Sequence, residues 1–217
     1  MRLLVVSDIH GNEDDLDKCR NEAATADLLI CVGDITHFGG VSDARKVIDK
    51  LRKLHPKVRS VAGNCDNREI ECYLQQEGVL LSSKPEEIQG TLCAGLSGAM
   101  PGPIDTPYEI SEQQIEAYLG QLPVGTAQPL ILVSHQPPYK TVADRAMKVK
   151  HVGSRRLSEW IDAQQPLVVL SGHIHESFGH KEYGRSHVIN PGAFKDGRYA
   201  VIDVDPGKGE VSAFLKT

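Results

Sequence analysis

The chain has 217 residues, 40% hydrophobic and 24% charged, with a formal net charge of −5. That size fits one soluble α/β domain over residues 1–217, no run approaches the ~18 apolar residues of a membrane span, and the scattered lysines and arginines form no basic stripe. Neither a membrane partner nor stable nucleic-acid binding is therefore expected.

The first apolar run, Leu3 to Val6, is too short for the core of a secretory signal and ends in Asp8-Ile-His10. A polar segment of helical periodicity follows, Asp14 to Ala24. The strand Leu28 to Val32 ends in Gly33-Asp34 and precedes a helix over Ser42 to Leu54, with Ser42 as N-cap. The strand Val58 to Ala62 ends in Gly63-Asn64-Cys65-Asp66, and a helix covers Asn67 to Glu77. Residues Gly95 to Thr106 read as a surface loop. A helix capped by Ser111 runs to Leu119, and the strand Leu130 to Val133 ends in Ser134-His135. After the long connection Pro137 to Ser154, with Pro137-Pro138-Tyr139 at its start, a helix capped by Ser154 runs to Ala163 and packs Trp160 on a sheet. The strand Leu167 to Leu170 ends in Gly172-His173-Ile174-His175.

Uninterrupted apolar runs of this length suit strands buried on both faces. The last third alternates instead, in His187 to Asn190, Tyr199 to Val204 and Glu210 to Leu215, with a hairpin turn at Asp205-Pro-Gly-Lys-Gly. A mixed α/β domain with antiparallel strands at its end is expected. The five cysteines (Cys19, Cys31, Cys65, Cys72, Cys93) are odd in number and contain no CxxC pair. Reduced thiols and a cytoplasmic location follow as expectations.

Each of the five buried strands ends in residues able to bind a metal: Asp8 and His10, Asp34, Asn64, His135, then His173 and His175. Four of the nine histidines fall there. One such histidine would be read as a polar strand cap, but the set points to a metal site at the carboxyl edge of a sheet, where α/β proteins collect ligands. Oxygen and nitrogen donors without thiolate suit Mn²⁺, Fe, Zn²⁺, Ni²⁺ or Co²⁺. Seven donors exceed the needs of one ion with an open position. Two divalent transition-metal ions sharing a carboxylate fit better, an arrangement ~3.5–4 Å across that clamps both oxygens of a phosphoryl transfer. Gly172 is expected to let the backbone turn tightly between strand and histidines.

Asp8-x-His10, Gly33-Asp34, Gly63-Asn64, His135 and Gly172-His173-x-His175 together resemble the five blocks of the calcineurin-like metallophosphoesterases, in order from residue 8 to 175. Asp8-Ile-His10-Gly11-Asn12 and Gly63-Asn64-Cys65-Asp66 further resemble the small bacterial and archaeal branch. The resemblance implies a four-layer αββα sandwich of two mixed sheets flanked by helices. It implies one ion on Asp8, His10 and His175, the other on Asn64, His135 and His173, with Asp34 bridging and manganese the foremost metal. A hydroxide between the ions would attack a phosphate mono- or diester, and Asn64 would also contact the phosphate.

Many members of the family carry a histidine where Cys65 stands, so Cys65 and its neighbour Asp66 join Asn64 as candidate catalytic residues. Arg68, His37 and His151 are candidate substrate contacts beside Asn64. Asn190-Pro191-Gly192, after the strand His187 to Ile189, reads as a plain turn, with a place near the metals as the alternative. The expected partner is a small phosphoester, with homo-oligomerisation left open. The alternative is a catalytically weak metal-binding scaffold, as in the retromer-subunit branch of the same fold. Against it stands the completeness of the donor set.

Overall fold

The structure, a computed structural model, describes residues 1–123, 125, 128–147 and 149–217. Strands β1 (Arg2–Val6), β2 (Leu28–Cys31), β3 (Val58–Ser60), β12 (Tyr199–Asp205) and β13 (Glu210–Lys216) form one sheet in the order β13-β12-β1-β2-β3. The second sheet runs β10 (Gly179–Tyr183), β11 (Ser186–Asn190), β9 (Val168–Ser171), β6 (Leu130–Ser134), β5 (Thr91–Leu96), β4 (Glu86–Ile88). Both are mixed. β1, β2 and β3 are parallel, as are β5, β6, β9 and β11, whereas β12, β13, β4 and β10 pair antiparallel at the flanks. A two-stranded hairpin, β7 (Arg145–Ala146) and β8 (Lys150–His151), stands apart.

The apolar runs are continuous because each strand is covered twice. Leu3, Val5, Leu28 and Ile30 meet Ile131, Val133, Val168 and Leu170 in a core between the sheets. The alternate residues Leu4, Val6, Leu29, Leu132 and Val169 belong to a second cluster with the helices. Those helices are α1 (Arg20–Ala23), α2 (Val41–Leu54), α3 (Arg68–Gln76), α4 (Glu112–Leu119) and α5 (Arg155–Gln164). Helix α2 buries Ala44, Val47, Ile48 and Leu51, a stripe at three- and four-residue spacing. At roughly 1.5–3 kcal/mol for each fully buried Leu, Ile or Val, this double burial holds the strand ends where they are. The result is the αββα sandwich.

Local chemistry sets several boundaries apart from the sequence reading. Asp14–Cys19 is a 3₁₀ turn rather than α-helix, followed by one α-turn at Arg20–Ala23; its buried Leu16 and Cys19 lie three apart, the 3₁₀ period. The N-cap of α2 is Gly40, not Ser42, and the Gly40 N–H donates to Asp43 Oδ2 at 3.3 Å. Ser111 and Ser154 do cap α4 and α5. Gly95 and Leu96 belong to β5, and Ser97 to Ala99 are buried, so only the outer part of the expected loop lies at the surface. Trp160 packs against the helix-side core. All five cysteines are free thiols, Cys72 alone exposed. Among the described residues no helix is long and apolar enough to cross a membrane.

Candidate metal centre

At the carboxyl edge, the loops leaving neighbouring strands continue the ladders of hydrogen bonds. Asp8 N–H donates to the Gly33 carbonyl (3.0 Å), His10 N–H to that of Asp34 (2.9 Å), His135 N–H to that of Leu96 (3.2 Å) and Gly172 N–H to that of His135 (3.3 Å). The two sheets therefore deliver their loop residues to one spot. Four of these residues, Asp8, His10, Asp34 and His173, have φ of 54°, 52°, 48° and 67°. Such left-handed backbone costs non-glycine residues roughly 1–3 kcal/mol each and gathers at functional sites.

Asp34 lies at the middle. His10 Nε2 stands 3.7 Å from its Oδ2 and His135 Nε2 3.4 Å from its Oδ1. On the first side, His10 Nε2 faces His175 Nε2 at 3.3 Å, and His175 Nε2 lies 3.2 Å from Asp8 Oδ1. On the second, His135 Nε2 lies 3.0 Å from Asn64 Oδ1, and the His173 ring centre is 5.4 Å from that of His135. The structure thus brings together all seven sequence-derived donors. Asp8, His10 and His175 offer ligand atoms within 4.8 Å of one another, as do Asp8, Asp34 and His135. Cys65 makes a further such group with His10 and Asp34.

These residues fit divalent cations. Imidazole nitrogens facing each other between buried carboxylates aim their lone pairs at common points, which a cation satisfies. His135 Nδ1 is held by the Val32 carbonyl at 2.7 Å, which turns Nε2 toward Asp34 and Asn64. Burial alone would lower the pKa of His135, but the charge and hydrogen bond of Asp34 lift it to about 9. Burial, with the nearby His135, pushes His173 down to about 4. Asp34 is held well below the ordinary carboxylate range: burial opposes this, and His135 and His10 more than offset it.

A supporting set escaped the sequence reading. Ser7 Oγ donates to Asp8 Oδ2 (2.6 Å). Asn190, read as part of a plain turn, is fully buried; its Nδ2 donates to the Ile174 carbonyl (3.0 Å) and its Oδ1 accepts from Gly192 N–H. Arg198 donates to the His175 carbonyl (3.0 Å). The histidine loop is gripped at two carbonyls. Buried Gln136 accepts from Met100 N–H at 2.8 Å and ties the loop after β5 to His135. Burial lowers His10 foremost, and Lys195 adds to that lowering, so its ammonium is felt at the site.

Gly172 stands where the chain turns from β9 to the histidines, and its backbone is not left-handed. It is glycine because a Cβ there would stand 2.1 Å from Ser7 Oγ and 2.9 Å from Asp8 Oδ2.

The other candidates are placed as follows. His37 is exposed, its ring centre 5.3 Å from that of His10. Arg68 lies over the Tyr108 ring at 4.5 Å, and Tyr108 N–H donates to the Asn64 carbonyl (3.1 Å). His151 Nδ1 pairs with Asp144 Oδ1 at 2.6 Å inside the connection after β6. Among the described residues no ring contact or hydrogen bond joins His151 to the seven donors. Cys65 is buried, its N–H donates to Asp34 Oδ1 (2.8 Å), and burial with the charge of Asp34 pushes its thiol far up.

Asp66 is fully buried and its carboxylate accepts from the N–H groups of Ile35 (3.1 Å), Thr36 (2.9 Å) and Gly63 (2.8 Å) and from Thr36 Oγ1 (3.0 Å). It ties the loop after β2 to the loop after β3. Asp66→Asn keeps one acceptor oxygen but sets an NH2 group against donors it cannot accept from, at a cost of about 1–3 kcal/mol. A lower Tm with turnover within tenfold of wild type is expected. Turnover lost at unchanged Tm would instead make Asp66 catalytic.

Comparison with known proteins agrees with this geometry. The sequence profile described as calcineurin-like phosphoesterase matches residues 1–177. An uncharacterised protein of Methanocaldococcus jannaschii is 34% identical over 198 residues, 88% of either chain. A probable cyclic nucleotide phosphodiesterase of a Synechococcus species is 26% identical over 156 residues, 70% of this chain and 59% of that protein. A solved structure from Thermus thermophilus superposes with a TM-score of 0.70 at 20% identity, covering 98% of this chain and 97% of that one. The chain belongs to the calcineurin-like phosphoesterases.

Proposed function

We propose that this chain hydrolyses phosphate mono- or diesters with two divalent transition-metal ions, Mn²⁺ foremost. Asp8, His10 and His175 would hold one ion, Asn64, His135 and His173 the other, and Asp34 both. The observation that carries this reading is the Asp34 carboxylate, with one oxygen toward His10 and the other toward His135. Such ions, when bound, neutralise charge on the phosphate oxygens and lower the pKa of water. The name of the Synechococcus relative supports a diester among the substrates.

The chain's own residues supply the rest. Asn64 Oδ1 faces His135, which leaves Nδ2, 3.8 Å from Cys65 Sγ, as a donor for a phosphate oxygen. Lys195 adds positive charge beside His10 and His175. His37, beside His10, and Arg68, over the Tyr108 ring, would contact the ester group. Where an imidazole would protonate the leaving oxygen stands the Cys65 thiol, a weak substitute.

The test is a panel of nitrophenyl and alkyl phosphate mono- and diesters with Mn²⁺, before and after chelation. Aryl esters should turn over and chelation should abolish the rate. General acid catalysis is typically worth ~10²–10⁴-fold, so kcat/KM should fall steeply as leaving-group pKa rises. No hydrolysis with Mn²⁺, Ni²⁺, Co²⁺ or Zn²⁺ would favour a scaffold instead.

A further inference from the structure

Five large apolar side chains are exposed among the described residues: Phe38 (50%), Ile104 (71%), Met147 (83%), Val149 (81%) and Phe214 (51%). Phe214 is on edge strand β13. The other four stand on the three loops that follow β2, β5 and β6. Phe38 follows His37, with ring centres 4.9 Å apart, and the His37 ring is itself 5.3 Å from that of His10. The loop bearing Ile104 is pinned at both ends beside metal donors, Met100 to Gln136 next to His135 and Tyr108 to the Asn64 carbonyl. Met147 N–H donates to Glu176 Oε1 (2.6 Å), next to His175, and Val149 is two residues on.

Phe38 and Met147 have φ of 59° and 52°. A bulky residue held left-handed at the surface is unfavourable twice over, in backbone strain and in apolar exposure. Scattered exposed apolar residues are ordinary on any protein. Four of five on loops tied by ring contact or hydrogen bond to donors or their sequence neighbours, two of them with left-handed backbone, are not.

We infer that the rim of Phe38, Ile104, Met147 and Val149 receives an apolar group of the substrate, so that the site takes amphiphilic phosphoesters: a phosphate carrying a long alkyl or similarly apolar ester group. This rests on the phosphoesterase reading and names the substrate class within it. The occupant is the substrate's own tail, because each of these loops is anchored at a donor that would hold its phosphate or at a sequence neighbour of one. No apolar patch of this kind is needed for a small polar ester.

The experiment compares binding of methylphosphonate and octylphosphonate, neither hydrolysable, to the Mn²⁺-loaded protein by calorimetry, with octylphosphonate below its micelle concentration. The seven further methylenes, partly buried, should tighten Kd by about 10–100-fold. Phe38→Ser, Ile104→Ser and the double variant Met147→Ser/Val149→Ser should each shrink that ratio, while Phe214→Ser leaves it unchanged. All are exposed positions, so folding is retained. Equal affinities, no binding of either phosphonate, or a ratio that survives the rim variants overturns the inference. Hydrolysis of nitrophenyl esters by the same samples reports on the phosphoesterase reading separately, since it requires no tail.

Discussion

Asp34→Asn is expected to be the most damaging change at the metal centre. Asparagine keeps an acceptor for Cys65 N–H, which lies 2.8 Å from Asp34 Oδ1, so the fold is retained. It removes the charge that both His10 and His135 face. Loss of a supporting partner costs a metal site ~10–100-fold. Loss of a shared ligand should cost more, with kcat/KM down on the order of 10³-fold and metal content falling from about two ions to one or fewer. Elemental analysis and steady-state kinetics on one preparation check this. Wild-type metal content and rate in Asp34→Asn, alongside loss in His10→Ala, would mean that Asp34 does not bridge.

The second large effect is expected at Gly172. In Gly172→Ala the new methyl would lie 2.1 Å from Ser7 Oγ, and Ser7 is fully buried against Asp8. Something must shift: either the loop bearing His173 and His175 or the Asp8 carboxylate that accepts from His173 N–H at 3.2 Å. Overpacking of this kind costs about 1–3 kcal/mol, roughly 2–12 °C in Tm for a chain of this size. Metal affinity should fall with it, since both moving parts carry donors. Adding Ser7→Ala removes the clashing hydroxyl and should recover part of the Tm. If Gly172→Ala melts and binds metal as wild type does, the close approach of the two loops is not what holds the histidines.

The sequence disclosed the donors because strand burial makes them conspicuous. Leu3 to Val6 or Leu167 to Leu170 is apolar on both faces, so the first polar residue after it marks the edge where loops begin. Strand β5 was not legible for the same reason in reverse. Gly95 and Leu96, read as the start of a surface loop, close the strand, and position 95 is glycine because a Cβ there would stand 2.5 Å from Leu81 Cβ.

The supporting residues were hidden because their roles are defined only across the fold. Asn190 looks like a turn residue until its amide meets the Ile174 carbonyl. Lys195 and Arg198 reach the site from a segment far along the chain from His10. Asp66 has a role that its place beside Cys65 does not disclose: its four hydrogen bonds bind two loops together.

The central claim is that two ions, not one, sit around Asp34. The most direct measurement is titration of chelator-stripped protein with Mn²⁺, following heat of binding and hydrolysis of a nitrophenyl phosphoester in the same solution. Two equivalents should bind, with turnover appearing only as the second site fills. Saturation of both signals at one equivalent, or two bound equivalents without hydrolysis of any phosphoester, would contradict the account.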